Sequence, residues 1–153
     1  MPYEVNVCND NEYIKSVLYD HEMWNRCSDD QTNYCLEKAG CLWLVVTKDG
    51  QRVGLSSIFN DAGCCLEIHI NIPKANRGKG TLEMGRAIIN WVKSHNVAGK
   101  SKIVTQIPVI HRDVIQFALK LGFVKEGINR QSVIIGGKAI DKVHLGITFG
   151  EIT

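Results

Sequence analysis

Apolar and polar positions along the 153-residue chain fall into short alternating runs interrupted by longer amphipathic stretches. Tyr3–Cys8 alternates as a first strand, and Asn9, Asp10 and Asn11 offer N-cap side chains to a helix carried by Ile14, Val17 and Leu18. From Asp20 to Ala39 the pattern is mixed; helix and loop are expected there, anchored by Trp24 and Tyr34. Leu42–Thr47 and Arg52–Phe59 read as two strands around Lys48-Asp49-Gly50-Gln51, a hairpin signal.

A second turn at Asn60-Asp61-Ala62-Gly63 leads into Cys65–Ile72, which alternates strictly. Leu66, Ile68, Ile70 and Ile72 fall on one face, Glu67, His69 and Asn71 on the other, and Pro73 closes the strand. Leu82–Lys93 predicts a helix with Ile88, Ile89, Trp91 and Val92 as its apolar stripe. Ile103–Ile107 is a short strand ended by Pro108, and Asp113–Leu121 a helix stopped by Gly122. Ser132–Ile135 and Ile140–Thr148, joined through Gly136-Gly137-Lys138, read as a final hairpin. This order predicts a mixed α/β fold, one sheet covered by helices, formed by residues 1–153 as a single domain.

Composition fits that picture, with 44% hydrophobic and 22% charged residues. A net charge of +2 can help attract a phosphorylated ligand but falls short of a nucleic-acid surface, and no basic stripe or stacking set accompanies it. The longest apolar runs, such as Leu42–Val46, are too short to cross a bilayer, so no membrane partner is expected. The first residues lack the basic and apolar regions of a signal peptide. Six cysteines stand at 8, 27, 35, 41, 64 and 65 without a C-x-x-C pair, so reduced thiols, a cytoplasmic setting and no metal centre are expected. Cys64 or Cys65 acting with His69 as a nucleophile is weighed against core packing, and packing is preferred.

The most informative stretch is Pro73-Lys74-Ala75-Asn76-Arg77-Gly78-Lys79-Gly80-Thr81, between the alternating strand and the amphipathic helix. Glycines let several amides converge, the helix N-terminus adds unpaired N–H groups, and Arg77 and Lys79 add charge. A pyrophosphate can sit there. Here the chain resembles the GCN5-related N-acetyltransferase (GNAT) superfamily, whose signature is Arg/Gln-x-x-Gly-x-Gly/Ala. Arg77 and Gly80 match it; Leu82 stands where a small residue is usual. A second stretch, Leu121-Gly122-Phe123-Val124-Lys125-Glu126-Gly127 with Arg130, Gly137-Lys138 and Asp141, is similar to the ribosomal-protein and polyamine N-acetyltransferases. The short chain and its Glu67–His69 strand also resemble small GNAT-like proteins of tailed bacteriophages.

The resemblance implies a GNAT fold: a mostly antiparallel sheet whose fourth and fifth strands, Cys65–Ile72 and Ile103–Ile107, splay apart around the pantetheine arm of acetyl-CoA. It implies direct acetyl transfer to an amine of a small molecule or protein. Carried over residue by residue, it gives phosphate binding to Arg77, Gly78, Lys79, Gly80 and Thr81, mostly through backbone amides. The apolar thioester contact falls to Ile70 and Ile72, with an oxyanion donor at a backbone N–H near Ile70. Glu67, with His69 as alternative or helper, is the expected base, because these polar side chains line the cleft strand. The tyrosine many relatives use as leaving-group acid is replaced by Ala118, and two cofactor contacts of the ribosomal-protein branch are replaced by His111 and Val114. His111 can still offer a hydrogen bond and is included among the cofactor residues. These departures keep a second function open, a non-catalytic GNAT-fold binding or assembly protein such as a phage virion component. Monomers and homodimers both occur in the superfamily.

Overall fold

The structure, a computed structural model, describes residues 3–27, 41–95 and 99–153. Seven strands form one sheet in the order β1-β2-β3-β4-β5-β7-β6: β1 Glu4–Val7, β2 Leu42–Lys48, β3 Gln51–Asn60, β4 Cys65–Asn71, β5 Lys102–Pro108, β6 Val124–Ile135 and β7 Lys138–Thr148. Every neighbouring pair is antiparallel except β4 and β5, which run parallel. The turn between β2 and β3 has Asp49 at φ 52° and Gly50 at φ 77°, the left-handed pair that matches the twist of a two-residue hairpin.

Helices cover both faces of the sheet. α3 (Thr81–His95) and α4 (Arg112–Leu121) bury Met84, Ile88, Ile89, Val92, Ile115, Ala118 and Leu121 against Leu44, Leu66, Ile68, Ile103, Leu145 and Ile147. Their crossing depends on Gly85, where a Cβ would fall within 2.8–2.9 Å of Phe117 and Leu121. On the opposite face α1 (Asn11–Leu18), capped by Asp10, and α2 (His21–Cys27) bury Ile14, Val17, Leu18 and Met23 against Val45 and Leu55. Trp24 lies on α2 with its ring 5.6 Å from that of Tyr19; Tyr34 lies outside the described residues.

Three expectations shift in detail. Trp91 of the expected stripe packs against the core while only partly buried, and it also stacks on His95 at 3.8 Å. Asn71 shares the polar face with Glu67 and His69 but is buried under α2, its amide donating to the Met23 sulfur at 3.7 Å. The last hairpin is longer than expected: β6 begins at Val124, inside the stretch that carried the second resemblance. Its first eight residues are exposed, so no apolar alternation announces it.

Candidate cofactor cleft and acceptor face

β4 and β5 pair only through Cys65↔Lys102, Leu66↔Ile103 and Glu67↔Val104. Beyond these, β4 stays paired to β3 as far as Asn71, and β5 to β7 as far as Pro108. The two strands therefore diverge after Glu67. Strand amides point alternately to the two sides, so alternate residues in the rest of β4 and β5 turn their N–H and C=O groups toward the gap without a strand partner. Ile68 and Ile72 are buried beside it and Ile70 is partly buried on the same core.

The loop after β4 begins at the open end of the gap. A short 3-10 turn at Lys74–Asn76 leads to Arg77, then Gly78 (φ 115°) and Gly80 (φ 95°) bring the backbone round to the start of α3. A side chain at either glycine would be strained, and a Cβ on Gly80 would also collide with the Tyr3 hydroxyl. Thr81 fixes the turn twice: its hydroxyl accepts from the Gly78 N–H at 2.9 Å and its own N–H donates to the Gly78 carbonyl at 3.1 Å. Lys79 is exposed. Leu82 packs on the main core.

The Arg77 guanidinium is engaged within the protein. It grips the Glu22 carboxylate in a two-pronged pair at 2.6 and 2.8 Å, while its Nε donates to the Ile72 carbonyl at 2.8 Å. The hydrogen bonds from Arg77, reinforced by its charge, hold the Glu22 carboxyl below the usual carboxylate range. Glu22 also lies 3.8 Å from Arg26, which pairs with Asp113 at 2.6 Å in the first turn of α4. α2 is thus tied by charge both to the glycine loop and to the start of α4.

His111 caps α4 without a side-chain capping bond, and its Nε2 is buried with no hydrogen-bond partner. Burial, reinforced by the nearby Arg26 charge, pushes its pKa below the ordinary histidine value, so the ring is held neutral. Val114 and Ala118 on the same helix pack in the apolar core.

Glu67 and His69 share a face and meet, with His69 Nε2 3.1 Å from Glu67 Oε2. The His69 ring stands edge-on to Phe59 at 5.8 Å. Strand register carries this face across the sheet to Lys102, Gln106 and His144. There Lys102 pairs with Glu126 at 2.8 Å, His144 lies 4.0 Å from the same carboxylate, and Asn129 donates to Gln106 at 3.1 Å. Gln106, Glu126, Gly127, Ile128, Asn129 and His144 line an open groove of about 350 Å³. Gly146 makes room for it, because a Cβ there would meet both Glu126 and the Lys102 stem. Among the described residues no three His, Cys, Asp or Glu side chains converge as a metal site would require.

Sequence reading missed Glu22, Arg26, Tyr3, Lys102, Glu126 and His144. The partners of Glu22 and Arg26 lie 55 and 87 residues away, beyond any local pattern. For Glu126 the only signal was its place in the second resemblance. Asp29 and Asp30, which could face a cationic amine, lie outside the described residues.

No family model and no curated protein sequence matches the chain. Solved structures do. Spermidine N-acetyltransferase from Vibrio cholerae, in complex with CoA and spermine, superposes with TM-score 0.79 at 16% identity, covering 98% of this chain and 97% of that one. Mutant forms of the spermidine/spermine N-acetyltransferase of the same organism reach TM-score 0.76 at 18% identity, covering 98% and 95%. A chimeric form of the V. cholerae spermidine N-acetyltransferase reaches 0.74 at 18% identity, covering 99% and 98%. At such identities the likeness is one of fold: the chain has the GNAT fold of these acetyltransferases over nearly its whole length.

Proposed function

We propose that this protein is an acyl-CoA-dependent N-acetyltransferase that passes an acetyl group directly to an amine. The observation that carries the reading is the divergence of β4 from β5 after Glu67, directly beside a glycine loop that opens a helix. The residues present suit acetyl-CoA: a gap along which β4 and β5 do not pair, positive-φ glycines at a helix start, and an orphaned buried nitrogen on His111. When bound, that molecule supplies an activated acetyl thioester.

In this reading the backbone of Gly78–Thr81, with the exposed charge of Lys79, holds the pyrophosphate. The paired Arg77 shapes the loop and adds its charge from behind. Ile70 and Ile72 exclude water from the thioester, and His111 gives its unpartnered nitrogen a hydrogen-bond role at the cofactor. Glu67 takes the proton of the attacking amine. His69, whose side chain is 41% exposed against 25% for Glu67, passes that proton to solvent. The groove around Glu126 and His144 receives the acceptor. The V. cholerae enzymes of the same fold are spermidine N-acetyltransferases, so a polyamine is the first acceptor to try.

The test has two stages. Calorimetry with acetyl-CoA on wild type and Lys79→Ala should give binding that the variant weakens; no binding by wild type sinks the proposal. Turnover against a panel of polyamines, amino acids and peptide amines should then appear, and Glu67→Gln should cut it by about 10²-fold or more. Binding without turnover on any acceptor would instead support a non-catalytic GNAT-fold protein.

A further inference from the structure

Cys64 and Cys65 stand where the β3–β4 turn enters β4, apart from the groups assigned above. The Cys64 thiol is exposed and Cys65 is half-buried. Their backbone is pinned, since the N–H groups of Ser101 and Lys102 both donate to the Cys64 carbonyl, at 2.9 and 3.2 Å. The Lys100 ammonium is fixed over the same turn by the carbonyls of Asp61 and Gly63, at 3.2 and 2.7 Å. The Cys64 side chain neighbours those of Ser101 and Cys65.

These surroundings make the two thiols unequal. The Ser101 contact, helped by Lys100, pulls Cys64 below the ordinary thiol range, while burial and the neighbouring Cys64 charge push Cys65 up. An exposed thiol with a lowered pKa beside a half-buried thiol with a raised one is the arrangement in which one sulfur reacts and the other resolves.

We propose that Cys64 and Cys65 form an oxidation site, in which Cys64 attacks a hydroperoxide and the product closes onto Cys65 as a reversible vicinal disulfide. In the first step the Cys64 thiolate displaces alkoxide or hydroxide from the peroxide. An S–O bond forms, the O–O bond breaks, the sulfur loses two electrons and the peroxide gains them. In the second step Cys65 gives up its proton and attacks the Cys64 sulfur; the S–S bond forms, the S–O bond breaks and water leaves. Two thiols and one hydroperoxide thus yield one disulfide, one alcohol (water, if the oxidant is hydrogen peroxide) and one water.

Reversibility follows from geometry. Adjacent Cα atoms lie about 3.8 Å apart along the chain, short of the roughly 5.5–6 Å that disulfides prefer. A ring closed under that strain is readily reduced, as labile, regulatory disulfides are. Its location gives it leverage, because Cys65↔Lys102 is the first of the three pairs that hold β4 to β5.

The experiment is peptide mass spectrometry on the reduced full chain treated with hydrogen peroxide, and it does not depend on acetyltransferase activity. Limiting iodoacetamide should label Cys64 at least about tenfold faster than buried Cys8 or half-buried Cys65. Peroxide should remove two hydrogens from the peptide holding Cys64 and Cys65, and dithiothreitol should restore them. In Cys65→Ser, dimedone should trap a sulfenic acid on Cys64. Equal labelling of Cys64 and Cys8 overturns the proposal, as does an oxidised Cys64 whose neighbour stays alkylatable in wild type. Both of these outcomes are read on the unmutated protein, so misfolding of a variant cannot mask them.

Discussion

His111 is a half-buried side chain whose environment works against a charge. Burial and Arg26 keep the ring neutral in the folded protein, whereas the unfolded chain protonates it at the ordinary histidine value. The unfolded state therefore binds more protons as pH falls below about 6.5, and the stabilising contribution present above that value is lost down to the depressed folded pKa. His111→Asn should flatten this acid-side loss. Urea midpoints at several pH values between neutrality and acid give the check, and identical slopes in wild type and variant would contradict it. At this scale the sequence was informative where chemistry is local. Alternation placed Glu67 and His69 on one face, and the structure pairs them. Alternation could not show that Asn71, on the same face, is covered by Met23, because α2 comes from 48 residues away.

Elements were legible in proportion to how fully they are buried on one side. β4 and α3 carry sharp apolar periods because each presents one face to the main core. The first part of β6 has no such face; its strand conformation comes from pairing with β7, interrupted by irregularities at Lys125/Gly127 and Asn129/Val133. α2 was obscured for a different reason. Its docking is partly by charge, through Glu22 to Arg77 and Arg26 to Asp113. A double-mutant cycle on Glu22→Ala and Arg77→Ala should give a coupling of about 1 kcal/mol, since the pair is two-pronged but partly exposed, and added salt should weaken it. Additive single losses would mean the contact contributes nothing to stability. The α3–α4 crossing makes a second demand. Gly85→Ala drives a methyl into Phe117 and Leu121 and should cost about 1–3 kcal/mol by overpacking, read as a lower urea midpoint.

For the molecule as a whole, the order of elements and the mixed sheet were readable from turns and periods alone. The divergence of β4 and β5 was not, because both are ordinary apolar strands in sequence; only the resemblance implied it. A ligand that binds the folded chain alone adds stability by mass action, so acetyl-CoA at a hundredfold excess over its Kd should raise unfolding free energy by about 2.7 kcal/mol. An unchanged melting temperature at saturating acetyl-CoA would place binding elsewhere than in the folded cleft.

The three-pair seam between β4 and β5 has a consequence for the empty protein. Past that seam the sheet contains two strand edges in its interior, neither with a strand partner and both with isoleucines alongside. Edges of this kind are templates for foreign strands, and natural sheets usually blunt them with charge, proline or a bulge. Here Pro108 and Pro73 stand near the open end, which limits each edge to a few residues. A chain synthesised faster than its ligand is supplied would expose these edges longest, so its solubility during expression should follow the availability of whatever fills the gap.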